Sequence, residues 1–141
     1  MRFYIDTNIL AFLFLGNSQD IDNNVMSLLS DFENFPKTSS ICVCELIHLC
    51  QIGKIPISKH SPVKSSSDII KWVEDSGIEI VYPNRKNIEL YSSLPILGDH
   101  RDPNDRLIIA QAISDKIPLV SSDRKFERYI NFGLNLIFNK R

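Results

Sequence analysis

Two aspartates stand at the ends of short apolar runs, where a carboxylate is well placed to bind a ligand. Asp6 directly follows Phe3-Tyr4-Ile5, and Asp123 follows Leu119-Val120-Ser121-Ser122. In a parallel sheet the carboxyl ends of the strands share one edge, and ligands bind at that edge. A turn or a helix cap would account for either aspartate alone. Two of them at one edge indicate a site.

A third carboxylate, that of Glu45, falls on a predicted helix among apolar neighbours. The residues three and four positions away are Ile41, Cys42, His48 and Leu49. An ionised carboxylate in such surroundings costs free energy unless a cation or hydrogen-bond donors compensate its charge. No Arg or Lys stands on that helix before Gly53. Glu45 therefore either pairs with a base from elsewhere in the chain or ligates a metal.

The fourth carboxylate, that of Asp105, lies at the start of the clearest helical pattern. Asp102 is a good N-cap and Pro103 suits the first helical position, so an acid in this first turn also has a purely structural explanation. The apolar stripe Ile109, Ala112 and Ile113 begins four residues after Asp105. That spacing places Asp105 at the leading end of the buried stripe, facing the sheet edge.

Four carboxylates at one edge would repel one another, and at least one would take up a proton unless a divalent cation were present. Asp6, Glu45, Asp105 and Asp123 offer only oxygen ligands, which favours Mg²⁺ or Mn²⁺ over zinc. The chain has 16 basic and 17 acidic side chains and a net charge of −1, which argues against unaided electrostatic binding of nucleic acid. Two bound divalent cations would reverse that sign, so a phosphate-backbone substrate is compatible with the composition.

The elements that must position these acids alternate between strand and helix. Apolar runs predict strands over 2–6, 38–41, 78–82, 118–121 and 135–138. Helical spacing predicts helices over 9–16, 21–32, 43–52, 68–75, 85–92 and 102–116, with Thr7-Asn8 capping the first. The segment 54–67, rich in proline, serine and lysine, is predicted to be an exposed loop.

This alternation predicts the fold class. Strands separated by helices, without tight hairpin turns, imply parallel pairing through right-handed crossovers. We expect a three-layer α/β/α sandwich with a mostly parallel sheet of about five strands. The 141 residues, of which 43% are hydrophobic and 23% charged, are typical of a soluble domain that folds without cross-links. Residues 1–141 are expected to form one domain.

The start of the chain and its cysteines indicate a compartment. Asp6 interrupts the first apolar run, which argues against a secretory signal, and the apolar stretch 9–15 is shorter than the ~20 residues of a membrane-spanning helix. We therefore expect a cytoplasmic protein that does not bind a membrane. Cys42, Cys44 and Cys50 are odd in number and clustered, which favours reduced core thiols over disulfides or a zinc site with His48.

Taken together, the motifs resemble those of PIN-domain ribonucleases, and among these the VapC-type toxins of bacterial toxin–antitoxin pairs. Four stretches carry the resemblance, in the family's order and over nearly the whole chain: Tyr4-Ile5-Asp6-Thr7-Asn8, Ser39-Ser40-Ile41-Cys42-Val43-Cys44-Glu45, residues 100–112 (HRDPNDRLIIAQA) and Pro118-Leu119-Val120-Ser121-Ser122-Asp123. The resemblance implies that the same four acids form a Mg²⁺ or Mn²⁺ site, with Thr7 and Ser121 as supporting hydroxyls. Asn104 departs from the pattern, since relatives often have an aromatic residue there.

The implied reaction is hydrolysis of an RNA phosphodiester bond that leaves 5′-phosphate and 3′-hydroxyl ends. The resemblance further implies a cognate antitoxin that covers the site, and a homodimer. Basic residues near the acids are candidate phosphate contacts, although each could equally be a solvated surface charge. These are Arg101, Arg106, Arg124, Lys125 and Arg128.

Other functions fit the sequence less well. A catalytically inactive PIN-like scaffold that binds RNA or protein is the main alternative, and binding of a divalent cation would distinguish the two. A metal-dependent phosphatase commonly has a second aspartate two residues after the first, where this chain has Asn8. Neither His60 nor His100 has a suitably placed Ser or Cys in the sequence, so a nucleophile–histidine hydrolase is not favoured.

Overall fold

Five short strands form one parallel sheet in the computed structural model, which describes residues 1–57, 59, 61 and 63–141. The strands are β1 (Arg2–Ile5), β2 (Phe35–Ser39), β3 (Glu79–Val81), β4 (Leu119–Ser121) and β5 (Leu136–Phe138). Their order across the sheet is β3-β2-β1-β4-β5, and every neighbouring pair is parallel. The predicted parallel five-stranded sheet is confirmed.

Helices connect the strands. They are α1 (Thr7–Leu15), α2 (Asn23–Ser30), α3 (Ser40–Gln51), α4 (Ile69–Asp75), α5 (Arg85–Ser93) and α6 (Pro103–Asp115). Short 3-10 segments cover Ser18–Asp20 and Ser66–Asp68, and a longer one covers Arg124–Phe132. Helix α5 packs along α6, and α1 packs against α3. In the part of the chain that the structure describes, no helix has the length and apolarity needed to span a membrane.

Burial along the central strands shows why the sheet needs helices on both faces. Phe3, Tyr4 and Ile5 are all buried, as are Leu119 and Val120 of β4. Because successive side chains of a strand point to opposite faces, a run of buried residues means that both faces are covered. The α/β/α architecture expected from the sequence is therefore confirmed.

Several element boundaries differ from the sequence prediction, and a 3-10 segment over Arg124–Phe132 was not predicted. At two of the boundaries a side-chain cap decides where the helix begins. The hydroxyl of Ser39 accepts a hydrogen bond from the Ile41 N–H at 3.2 Å, so residues 40 and 41 belong to α3 and not to β2. The Asp6 carboxylate caps α1 by accepting from the Ile9 N–H at 3.0 Å, whereas Thr7-Asn8 was predicted to do so. In the predicted loop 54–67, residues 58, 60 and 62 lie outside the described residues, so the expectation about His60 falls outside them as well.

The cysteines differ in their surroundings. All three are free thiols, as expected. Cys42 is fully buried in the core, but Cys44 is exposed and Cys50 is half-buried. The prediction of core thiols is thus correct for Cys42 and wrong for Cys44, because Cys44 lies on the outward face of α3.

The strand order creates a crevice beside β1. From β1 the chain adds β2 and then β3 on one side, and it returns to add β4 and β5 on the other side. The switch point of such a sheet, outside the carboxyl ends of the two strands where the order reverses, is where α/β proteins bind ligands. Here it lies between β1 and β4. Asp6 follows β1 directly, and Asp123 follows β4 by two residues.

Candidate metal centre

A cavity of about 210 Å³ lies at this switch point, and most of its lining is acidic. Its lining residues are Asp6, Thr7, Asn8, Glu45, Asp102, Asp105, Asp123 and Phe126. All four acids that the sequence singled out therefore line the same cavity. Asp102 lines it as well, although the sequence suggested only a capping role for this residue. That role is present too, because its carboxylate accepts from the Asn104 N–H at 2.9 Å.

Asp6 is the most deeply buried of these acids, with 3% of its surface exposed. Its Oδ1 accepts from the Ile9 N–H, and its Oδ2 accepts from the Ser121 hydroxyl at 2.5 Å. Burial raises the pKa of Asp6 from 3.8 to about 7, the two hydrogen bonds oppose the shift, and the charges of Asp105 and Asp123 add to it. The two hydrogen bonds therefore fix both oxygens of the ionised carboxylate, but they do not fully offset the cost of burying its negative charge.

Ser121 joins the ends of the two central strands. Its hydroxyl donates to Asp6 and accepts from the Asp123 N–H at 3.0 Å. The Asp123 carboxylate then accepts from the Lys125 N–H at 2.9 Å and caps the 3-10 segment. One buried hydroxyl thus sets the spacing between Asp6 and Asp123.

Glu45 reaches the cavity from α3. Its Oε2 accepts from the Thr7 hydroxyl at 3.0 Å. Its Oε1 is buried and has no hydrogen-bond partner among the residues that the structure describes. Burial raises the pKa of Glu45, and the Thr7 hydrogen bond opposes the rise. A buried carboxylate oxygen without a donor is costly, and a cation in the cavity would remove that cost.

Asp105, in the first turn of α6, has a neighbour that sequence reasoning missed. The Nε2 atom of His100 lies 3.3 Å from Asp105 Oδ2. Burial and then the negative charge of Asp102 raise the pKa of Asp105, whereas the His100 hydrogen bond opposes the rise. The signal available in the sequence is the position of His100 at the start of the 100–112 motif, five residues before an expected metal ligand.

These residues fit a hard divalent cation. Carboxylate oxygens, which Mg²⁺ and Mn²⁺ prefer, dominate the cavity. One of them, Glu45 Oε1, accepts no hydrogen bond from the described part of the chain. Ligand atoms of His100, Asp105 and Asp123 all lie within 4.8 Å of one another. Asp6 and Glu45 line the same cavity but, among the described residues, do not belong to this close group; together with Asp105 and Asp123 they are the candidate ligands. Bound positive charge would also offset the burial and, after it, the mutual repulsion that raise the pKa values of Asp6, Glu45 and Asp105.

Arg106, predicted from the sequence to contact substrate, is instead built into the packing of α5 against α6. Only 8% of its surface is exposed. Its Nη2 donates to the Leu94 carbonyl at 2.7 Å, and its guanidinium lies 4.9 Å from the centre of the Tyr91 ring. The expectation is corrected on this ground, since an arginine held this way is not free to bind phosphate.

The other basic residues are on the surface. Arg101 is exposed, and the Arg124 side chain is 77% exposed and lies over the Phe138 ring. Lys125 is 3.6 Å and Arg128 2.9 Å from the Asp99 carboxylate. Because exposed ion pairs contribute only about 0–1 kcal/mol, a phosphate could replace them at little cost.

Comparison with known proteins identifies the family. A family model described as the PIN domain matches residues 3–131. The chain belongs to the PIN domain family. The resemblance drawn from the motifs of this PIN domain is thereby confirmed. No curated protein matches it significantly.

Solved structures share the fold of this PIN domain over nearly its whole length. VapBC2 from Rickettsia felis, bound to a DNA fragment from its promoter, contains a chain that is 25% identical, with a TM-score of 0.69 over 99% of this chain and 100% of that one. VapBC-1 from nontypeable Haemophilus influenzae gives 21% identity and a TM-score of 0.63, covering 98% of both chains. A chain in a toxin–antitoxin complex from Klebsiella pneumoniae is 16% identical, with a TM-score of 0.64 over 96% of this chain and 95% of that one.

Proposed function

We propose that this PIN domain, residues 1–141, is a divalent-metal-dependent endoribonuclease that hydrolyses RNA phosphodiester bonds. Membership of the family supports a nuclease. The observation that carries the proposal is the cavity in which Asp6, Glu45, Asp105 and Asp123 meet. A cavity so dominated by carboxylates repels a phosphate unless positive charge is placed inside it. The same cavity with a divalent cation attracts one.

The acids would divide the work according to how each is held. Both oxygens of Asp6 are held, by Ser121 and by the Ile9 N–H. One oxygen of Glu45 is held by Thr7. Asp6 and Glu45 would therefore be the most rigidly oriented ligands for Mg²⁺ or Mn²⁺. When bound, the cation supplies a Lewis acid that lowers the pKa of a nearby water and neutralises charge on the phosphoryl group.

Asp123 would orient the attacking water. It is only half-buried, and the cap of the 3-10 segment engages one of its oxygens. The other oxygen can accept a hydrogen bond from water at the open side of the cavity and hold it in line with the scissile bond. Asp105 faces the same space from α6.

Exposed basic residues would hold the RNA backbone next to the acids. Arg124 and Lys125 directly follow Asp123, and Arg101 lies four residues before Asp105. Their contacts would be to phosphate, so they favour binding without selecting sequence. The affinity for RNA should accordingly fall as salt is added.

We further propose that the chain is the toxin of a toxin–antitoxin pair, with a cognate antitoxin covering the cavity and the toxin forming a homodimer in the cytoplasm. The similar chains from Rickettsia felis and Haemophilus influenzae are parts of VapBC assemblies, and the one from Klebsiella pneumoniae is part of a toxin–antitoxin complex. Co-expression with a candidate antitoxin, followed by size-exclusion chromatography with light scattering, tests both the partner and the dimer.

The decisive experiment measures cleavage of a structured RNA by the purified protein with Mg²⁺, with Mn²⁺ and with EDTA. Asp6→Asn and Glu45→Gln each remove one charge from the cavity and should abolish cleavage. Asp75→Asn, which removes an exposed carboxylate on α4 paired with Lys71, is the matched control and should cleave normally. Cleavage that persists in EDTA, or full activity in both cavity variants, would refute the proposal.

Titration calorimetry with Mn²⁺ separates the nuclease from an inactive scaffold. The native chain should bind the ion, and Asp6→Asn should bind it far more weakly. A native chain that binds no divalent cation would favour the scaffold. Hydrolysis of a simple phosphomonoester without RNA cleavage would favour a phosphatase.

A further inference from the structure

A buried histidine connects the cavity to a buried tyrosine. His100 is 2% exposed, and its Nε2 lies 3.3 Å from Asp105 Oδ2. On the other side of the ring, Nδ1 lies 3.1 Å from the hydroxyl of Tyr129, which is fully buried. The three residues come from the loop before α6, from α6 itself and from the 3-10 segment after β4. Three connected polar side chains in a packed region call for a functional explanation.

The direction of the hydrogen bonds follows from the chemistry of the three groups. An ionised carboxylate only accepts, so Nε2 of His100 must carry a proton and donate it to Asp105. In the neutral ring Nδ1 then has the lone pair, and the Tyr129 hydroxyl donates to it. In the charged ring Nδ1 donates to Tyr129 instead, and Nε2 still donates to Asp105. The bond to Asp105 therefore exists in both forms of the ring.

We propose that His100 is a positioning residue that fixes the Asp105 carboxylate for cation binding, and that Tyr129 in turn orients His100. This inference rests on the proposed function, because it assigns Asp105 to the cation site. Asp105 occupies the first turn of α6 and is only partly covered, with a quarter of its side chain exposed, so it has rotamer freedom to lose. One hydrogen bond to Oδ2 restricts that freedom and leaves Oδ1 for the ion.

The packing of the ring supports positioning over direct ligation. A ring nitrogen of His100 also lies within 4.8 Å of ligand oxygens of Asp105 and Asp123, which is the arrangement expected if the ring itself bound the ion. A nitrogen that donates a proton has no lone pair for a metal, so the two roles exclude each other. The ring centres of Phe126 and Tyr129 lie 5.8 Å and 5.4 Å from that of His100. These neighbours hold the ring where its Nε2–H meets Asp105.

Replacing His100 by glutamine and by asparagine distinguishes its contact with Asp105 from its contact with Tyr129. In His100→Gln the amide nitrogen lies close to the position of Nε2 and can still donate to Asp105. In His100→Asn the shorter side chain reaches only to the position of Nδ1 and loses Asp105. Titration with Mn²⁺ in the absence of RNA should show about 10- to 100-fold weaker binding for His100→Asn. His100→Gln should retain most of the native affinity.

Tyr129→Phe tests whether the tyrosine acts through the histidine. It should weaken Mn²⁺ binding moderately in the native background and not at all when combined with His100→Asn, because the two groups act in series. Equal losses in both backgrounds would show that Tyr129 acts independently and would overturn this part of the proposal.

Spectroscopy of the unsubstituted protein distinguishes positioning from ligation, and His100→Gln serves only to assign any nitrogen found on the ion. With Mg²⁺, nitrogen-15 NMR should show the His100 Nε2 still protonated. With Mn²⁺, electron spin-echo measurements should show no nitrogen bound directly to the ion. A directly coordinated nitrogen that disappears in His100→Gln would overturn positioning in favour of ligation.

Two further variants make the possible failures distinguishable. Tyr4→Phe removes a buried hydroxyl that donates to Asp115 at 2.6 Å, ten residues along α6 from Asp105, so it controls for a general loss of packing and should leave Mn²⁺ affinity unchanged. Asp105→Asn should weaken Mn²⁺ binding. If the native chain binds no Mn²⁺ or Asp105→Asn has no effect, the proposed function fails. If Asp105→Asn weakens binding but His100→Asn does not, only the positioning role fails.

Discussion

Replacing Asp6 by asparagine should make the metal-free protein more stable, although the residue lies at the centre of the proposed site. Asparagine keeps the cap on α1, because its Oδ1 can accept from the Ile9 N–H as Asp6 does. Its amide can donate to the Ser121 oxygen once that hydroxyl turns away. What the substitution removes is a negative charge that is 3% exposed and has two like charges near it.

The magnitude follows from the pKa of Asp6, which burial raises from 3.8 to about 7. An acid with a raised pKa in the folded state binds its proton more tightly there than in the unfolded chain. The free energy of unfolding therefore falls as the pH rises between these two values. The cost of ionising Asp6 is about 4 kcal/mol at about pH 8 and below about 2 kcal/mol at about pH 5. Asp6→Asn should recover most of it at the higher pH.

Chemical denaturation in EDTA at about pH 5 and about pH 8 measures the effect. Asp6→Asn should exceed the native chain in unfolding free energy by about 2–4 kcal/mol at the higher pH and by clearly less at the lower. The exposed control Asp75→Asn should stay within about 0.5 kcal/mol of the native chain at both. An Asp6→Asn variant that is less stable in EDTA at the higher pH, or equally stabilised at both, would refute the reasoning.

Adding Mn²⁺ should make the native chain more stable relative to Asp6→Asn, which reverses the difference expected in EDTA. A ligand that binds only the folded state at about 100 times its Kd stabilises it by about 2.7 kcal/mol. The native chain should gain this stabilisation with Mn²⁺ and the variant should not. Equal gains in the two proteins would mean that the cation binds somewhere other than beside Asp6.

Three other substitutions test the surroundings of the site. Ser121→Ala removes the hydroxyl that bonds both Asp6 and the Asp123 N–H and should cost about 1–3 kcal/mol of stability, measured by urea denaturation; a neutral result would mean that the strand ends are held otherwise. Arg106→Met should lower the thermal midpoint while leaving the salt dependence of RNA binding unchanged, and a reduced salt slope would restore the phosphate role that its burial argues against. Lys125→Gln should do the opposite, reducing the slope of log affinity against log salt by about 1 without loss of stability.

Local patterns in the sequence carried the prediction of the fold and of the four acids. Apolar runs bounded by turn residues predicted the strands, and helical spacing predicted the helices between them. The order of elements without hairpins implied a parallel sheet, and a parallel sheet has one edge at which Asp6 and Asp123 must both lie. Even the cap at Asp102 was predictable, because an N-cap followed by proline is a local signal.

Contacts between distant parts of the chain were not predictable in this way. Arg106 is four residues from Asp102 and was predicted to contact substrate. The packing of α5 against α6 instead buries it against Leu94 and Tyr91. His100 meets Tyr129 only because the loop before α6 and the 3-10 segment after β4 converge beside the cavity. No local sequence pattern around Arg106 or His100 indicates these contacts.

The sequence by itself determined which chemical groups this protein can bring to a site and which edge of which kind of sheet must carry them, because backbone periodicity acts over a few residues. The family resemblance had already implied supporting hydroxyls at Thr7 and Ser121, but the tertiary structure alone decided which acid each of them holds and brought His100 beside Asp105. Ser121 reaches Asp6 across 115 positions of the chain, and the cost of a buried polar group without a partner can be met only by whatever the strand order and the helix packing bring beside it.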